Sequence, residues 1–351
     1  MGIITVITFL LCFVGMKFAF NKEGIHKDYL SMPCANSVKG IFVLMVLNGH
    51  LSQYVTLGDS LLDIPYILVD DWIAQCIVAP FLFCSGYGIL YSFVNKNRLA
   101  YIKGLPRKRI LPTLLHFDIA LILFLIMNLL LEQSYSVVDY VTALVGWTSV
   151  GNSTWFIFAS LCMYVVTYIS GLLASRLKDD AKQRACFALL ILLGTVVYIT
   201  VMMNFKQQVY YNTILCFPVG VIFGCFKEKI DHYMNRLPVW LGTVVVLAGM
   251  YLGTLLYGNY YLRAPVFALL VFVLTMRLRI CNPVLKWLGE HIFEIYILQR
   301  IPQIVFTHLG LNKNQYIFAL VCVPITLAGA WGYKKLMNRL DAVLKKEVVK
   351  A

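Results

Sequence analysis

The chain has 351 residues, of which 60% are apolar and only 13% charged, with a mean hydropathy of +0.77. A soluble domain carries about a quarter charged residues, so water is excluded as the main solvent. The net charge of +13 suits a nucleic-acid binder only when basic residues gather on one soluble face, and here they are dealt out to alternate loops.

A bilayer core about 30 Å thick needs about 20 mostly apolar residues per helix, because backbone groups in lipid must be hydrogen-bonded within their own segment. In chain order, eleven such runs are expected: 3–20, 40–57, 73–94, 110–131, 155–174, 185–203, 209–226, 239–257, 260–276, 285–308 and 316–333. The first lacks a basic region before it and a small-residue cleavage site after it, and so reads as an anchor rather than a signal peptide. The ninth is interrupted by Arg263. The fold class expected is all-α, a polytopic transmembrane bundle with no soluble domain. The ten cysteines form no C-x-x-C pair and mostly sit in apolar runs, which implies neither a metal site nor a disulfide framework.

If the eleven runs alternate, 25 of the 30 Lys and Arg residues fall on one side. They cluster at Lys22, Lys27 and Lys39; Lys96, Arg98, Lys103, Arg107, Lys108 and Arg109; Arg176, Lys178, Lys182 and Arg184; Lys227, Lys229 and Arg236; Arg277, Arg279 and Lys286; and Lys334, Lys335, Arg339, Lys345, Lys346 and Lys350. The positive-inside rule makes that side cytoplasmic. The opposite loops carry Asp59, Asp63, Asp70, Asp71, Glu132 and Asp139, which puts the N-terminus outside and the C-terminus inside. Gly86, Gly88, Gly220 and Gly224 are small residues that let helices approach closely.

Ionisable groups inside spans cost about 2.5–3.5 kcal/mol each on insertion scales, which makes each a functional candidate. Those here are His50, His116 with Asp118, His291 with Glu294, and Arg300. At a rise of 1.5 Å per residue, His50 is roughly 16 Å past Lys39, Asp118 roughly 13 Å past Arg109, and Glu294 roughly 12 Å past Lys286, so a common depth near the membrane middle is expected. A desolvated, neutral imidazole suits a general base, and a nearby carboxylate orients it.

Several segments together resemble the acyltransferase-3 family of membrane O-acyltransferases, in the family order and over most of residues 37–335. KGIFVLMVLNGH carries Lys39-Gly40 and His50, with lysine where arginine is usual; FLFCSGYGIL carries Ser85, Gly86 and Tyr87; PRKRILP carries Arg109 and Pro112, with Pro106 where a second arginine is expected. STWFIFASLCMY, FPVGVIFG and LGEHIFEIYILQR supply Trp155, Phe156 and Tyr164, then Phe217, Pro218 and Gly220, then Gly289 and Tyr296. Ile292 stands where serine is frequent and Gln299 where histidine is common.

The resemblance implies a ten-helix acyltransferase core at 37–335, an extra N-terminal helix and linker at 1–36, and a basic cytoplasmic tail at 336–351. It implies transfer of an acyl group, commonly acetyl, from cytoplasmic acyl-coenzyme A to a hydroxyl of a carbohydrate or glycan outside a bacterial cell membrane, with no permanently bound cofactor. His50 is then the expected base, assisted by Glu294. Lys39, Arg107, Lys108 and Arg109 would hold the donor phosphates, since guanidinium groups pair bidentately with phosphate oxygens. Ser85, Tyr87, Trp155, Tyr296, Gln299, Arg300, Asp118 and His116 are expected to support or bind substrate. Two other readings use the same residue types: a transporter or flippase of a lipid-linked saccharide, and a membrane sensor or scaffold in which the buried polar groups only specify packing.

Overall fold

The computed structural model describes residues 1–350 except 20–23 and 59, with side chains to residue 344. Lys22 and Asp59, and the side chains of Lys345, Lys346 and Lys350, lie outside the described residues. The helices are α1 (Gly2–Phe13), α2 (Met32–Ser52), α3 (Ile64–Ile73), α4 (Ala79–Asn95), α5 (Arg98–Lys103), α6 (Leu111–Leu130), α7 (Val137–Ala143) and α8 (Trp155–Ala174). They continue with α9 (Asp180–Phe205), α10 (Cys216–Met234), α11 (Leu237–Tyr257), α12 (Tyr260–Thr275), α13 (Pro283–Glu290), α14 (Ile292–Leu298), α15 (Arg300–His308) and α16 (Gln315–Lys350). Two-residue strands β1 (Lys17–Phe18) and β2 (Leu278–Arg279) pair antiparallel. The protein is an all-α polytopic bundle.

Among the described residues, seven helical segments are long and apolar enough to cross a membrane, and α1 and α12 are shorter apolar helices. The remaining two expected runs take other forms. α10 carries Lys227, Glu228, Lys229 and Asp231 in its second half, and the run 285–308 is broken into α13, α14 and α15 by the non-helical backbone of His291 and a joint at Gln299. The run 3–20 is also shorter than expected. Gly15 takes a left-handed conformation (φ +71°) that glycine adopts without steric cost, the chain leaves the helix, and residues 17 and 18 form β1. α1 packs on α2 and α3, and α16 runs unbroken through position 335.

Proline stands in the first turn of α2, α3, α4, α6, α11 and α13, where its missing N–H is not needed. Side-chain oxygens of Asn97, Asp179, Asn259 and Asn282 accept from the first turns of α5, α9, α12 and α13.

Two helix crossings bring backbone against backbone. A Cβ on Gly40 would sit 2.0 Å from the Leu285 carbonyl oxygen and one on Gly289 1.9 Å from that of Asn36, so α2 and α13 touch through reciprocal glycines. α4 and α10 do the same through Gly86, whose Cβ would lie 2.0 Å from the Phe217 oxygen, and Gly220, 2.1 Å from that of Phe83. Of the glycines read as contact residues, Gly86 and Gly220 fill that role; Gly224 faces the Leu90 side chain, and Gly88 meets nothing within 4 Å.

Two buried arginines fasten backbone ends. Arg277, 1% exposed, donates to the carbonyls of Ala19 (2.6 Å), Gly24 (3.3 Å), Met234 (3.3 Å) and Asn235 (2.5 Å), tying the N-terminal linker to the α10–α11 turn. Arg263 donates to the last-turn carbonyls of α11 at Thr254 (3.1 Å) and Leu255 (3.3 Å), with its guanidinium 4.4 Å from the Tyr260 ring centroid. Its charge satisfies orphan helix-end acceptors instead of breaking a span.

Candidate active site

α6 runs from a basic end, where Arg109 precedes it, to a distal end, where Asn128 and Leu131 lie; its 20 residues make this about 30 Å. α2 reaches the distal end with His50 in its last turn. His50 was expected near mid-membrane on the assumption that Lys39 begins the helix. In fact α2 begins at Met32, so Lys39 lies about two turns inside it and His50 two residues from its end.

The imidazole of His50 is edge-on to the ring of Tyr296, centroids 6.2 Å apart, and its Nδ1 is buried without a hydrogen-bond partner. The Tyr296 hydroxyl accepts from the Phe156 backbone N–H at 3.4 Å, and the two rings are 5.7 Å apart. Trp155, the first residue of α8, packs on Phe156 with centroids 5.6 Å apart. Arg300 is within electrostatic reach of His50 and donates from Nε to Ser153 Oγ (3.1 Å), from Nη1 to Tyr54 Oη (3.3 Å) and from Nη2 to Gln53 Oε1 (2.8 Å). Gln299 is fully buried; its Nε2 donates to the Tyr296 carbonyl at 3.3 Å while its Oε1 has no partner. Thus His50, Trp155, Tyr296, Gln299 and Arg300 gather where α2, α8 and the α14–α15 joint meet.

Glu294 belongs to a second cluster. Its Oε2 is 3.9 Å from Lys334 Nζ, and it and Asp118 both lie within electrostatic reach of Tyr333, whose hydroxyl donates to the His116 carbonyl. His116 Nε2 is 3.1 Å from Asp341 of α16, and Asp118 Oδ1 is buried and unpartnered. Among the described residues Glu294 makes no hydrogen bond to His50, and its ion-pair partner is Lys334 rather than Arg300. His291 Nδ1 meets the Trp287 carbonyl at 2.8 Å and the imidazole stacks on Trp287, a packing role.

At the basic end, Pro112 lacks the N–H that would bond to Lys108, and residues 106–110 form a π-helical turn closed by the Leu111 N–H on the Pro106 carbonyl. This turn presents Lys108 and Arg109, with Lys96 and Tyr101, to a pocket of about 460 Å³; Arg107 is exposed outside it. Lys39 is half-buried, within electrostatic reach of Arg109, Lys334, Glu290 and Cys84.

Tyr87 turns toward α10 and Tyr91 and lines a separate pocket of about 350 Å³ with Arg184 and Lys227. Ser85, half-buried on α4, makes no side-chain hydrogen bond among the described residues. Neither is brought to His50. The partners that sequence reasoning missed are Gln53, Tyr54, Ser153, Tyr333, Lys334 and Asp341. Of these only Lys334 enters the sequence reading at all, as a topological charge.

A family profile described as an acyltransferase domain matches residues 33–334. The chain belongs to the acyltransferase-3 family of membrane acyltransferases. No curated protein and no solved structure matches it. Of the three readings open from the sequence, the family match supports the membrane acyltransferase.

Proposed function

We propose that the protein transfers an acyl group, acetyl in the simplest case, from acyl-coenzyme A at the basic end to a hydroxyl of a carbohydrate or glycan acceptor at the distal end. The observation that carries this reading is His50: a half-buried imidazole whose buried Nδ1 has no partner, beside the Tyr296 ring and within electrostatic reach of the Arg300 guanidinium, in a chain of an acyltransferase family. The basic end is taken as cytoplasmic, by the distribution of Lys and Arg, in a bacterial cell membrane.

Lys108 and Arg109, with Lys96 and Lys39, supply cations for the donor phosphates. The acyl thioester extends from there along α2, where Lys39 and His50 are about 16 Å apart by helical rise. His50 carries its own proton on Nε2 and accepts the acceptor's hydroxyl proton at Nδ1. The hydroxyl oxygen attacks the thioester carbonyl, the C–S bond breaks, and the imidazolium returns the proton to the departing thiolate, leaving ester and free coenzyme A. Gln299 is a candidate to steady the oxyanion. Trp155 and Tyr296 give the acceptor an apolar wall. Glu294, Asp118 and His116 act as positioning residues that hold α14, α6 and α16 together. Ser85 and Tyr87 support the α4–α10 contact.

The test is release of free coenzyme A from acetyl-coenzyme A by the purified protein in lipid, with saccharides added, for wild type and a folded His50→Ala variant. Acceptor-dependent release that disappears in the variant is expected. Equal release by both proteins removes His50 from the chemistry, and absence of coenzyme A binding and release under every condition rejects acyl-coenzyme A as donor.

A further inference from the structure

The distal pocket differs in charge from the loops around it. Asp63, Asp70, Asp71, Glu132 and Asp139 make that end of the sequence acidic. Yet the pocket of about 440 Å³ beside the Arg300 cluster is lined by Arg300, His308, Tyr54, Asn128, Gln133 and Thr307 among others, without a single Asp or Glu.

Arg300 has only neutral partners there: Gln53, Tyr54 and Ser153. No carboxylate is within ion-pair distance of it among the described residues. A guanidinium has five N–H groups, and three are used; one remains on each terminal nitrogen. Two such N–H groups side by side match the two oxygens of one carboxylate or phosphate. A partly buried cation without a counter-charge is costly to hold, and the Thr307 hydroxyl on the same wall is buried and unpartnered. A neutral sugar would leave the charge unanswered.

We propose that the acceptor is anionic and that Arg300, which lines this pocket, binds its carboxylate or phosphate group while the hydroxyl to be acylated faces His50. This rests on the acyl-transfer reading and adds the class of acceptor.

The test uses the full chain in lipid nanodiscs without donor. Three probes are compared for binding: a glucuronate-terminated trisaccharide, the same trisaccharide ending in glucose, and a glycerol-phosphate trimer. At least one anionic probe is expected to bind tenfold or more tightly than the glucose probe, with the advantage falling as salt rises. Which anion binds better separates a uronate from a phosphate source. Arg300→Gln keeps hydrogen-bonding capacity, removes the charge and is expected to abolish the preference; Arg300→Lys keeps the charge and is expected to retain part of it, which separates loss of recognition from loss of fold.

Equal binding of all three probes, binding of none, or a preference unchanged in Arg300→Gln overturns the proposal. With acetyl-coenzyme A added, efficient transfer to the glucose probe with Arg300→Gln lowering only kcat would assign Arg300 to the chemistry, overturning the proposal while leaving acyl transfer intact. Anion preference without transfer to any probe would sustain the anion site and count against the acyl-transfer reading alone.

Discussion

At the residue scale the account turns on a few side chains whose surroundings fit distinct tasks. His50 has an open, buried Nδ1, so His50→Gln removes the base without removing volume; transfer is expected to fall by about 10²- to 10⁴-fold while the thermal melt stays near wild type, measured by coenzyme A release and by unfolding in detergent. A matching loss of stability and activity would point to packing instead. Lys108 and Arg109 share a pocket that Arg107 does not line. Accordingly Lys108→Ala and Arg109→Ala are each expected to raise KM for acetyl-coenzyme A by roughly tenfold with kcat held, the sign of lost ground-state binding, whereas Arg107→Ala changes little. His50 and Arg300 were legible as candidates because ionisable groups are costly in an apolar run, and Tyr296 through the resemblance of LGEHIFEIYILQR. Their company was not: Arg300 meets Gln53, Tyr54 and Ser153 from positions about 150 and 250 residues away, and no local pattern encodes such pairs. Glu294 was read as a partner for His50 because the depth estimate counted from charged residues rather than from helix starts, and α2 begins seven residues before Lys39.

At the scale of elements, four glycines of the family-like segments act as helix contacts. Gly40 and Gly289 close the α2–α13 crossing, and Gly86 and Gly220 the α4–α10 crossing, each facing a carbonyl oxygen about 2 Å from where a Cβ would lie. Adding a side chain forces the backbones apart, at a cost of about 1–3 kcal/mol or more. Gly40→Val and Gly86→Val are therefore expected to lower the melting temperature and the folded yield, and Gly88→Ala, with open space beside it, to leave both unchanged; equal tolerance of all three would contradict the close crossings. Arg277→Met should also destabilise the fold, because four carbonyls lose their donor and each unmet buried polar group costs about 1–3 kcal/mol. Long apolar runs made most elements legible. The start of α2 was not, because MPCANSV is too polar to read as part of a span, nor was the break at His291, which lies inside the apolar run 285–308. Arg263 and Arg277 read as an interruption and a topological charge, yet both bond to main-chain carbonyls, which hydropathy cannot register.

At the scale of the whole molecule, two pockets lie at opposite ends of α6: one rich in Lys and Arg at the start of the helix and one holding Arg300 near its end. The proposed reaction assigns the donor to the first pocket and the acceptor to the second, with His50 in the last turn of α2 toward the second. The all-α membrane architecture was legible from composition, because it is an average over many residues. The separation of the two pockets needed the helix packing. The most direct measurement uses sealed proteoliposomes with a single orientation, acetyl-coenzyme A supplied only on the side of residue 109 and an impermeant saccharide acceptor only on the other. Acetylated acceptor on its own side, lost in His50→Ala, is the predicted result; product formed only when donor and acceptor share one side would contradict transfer across the bilayer.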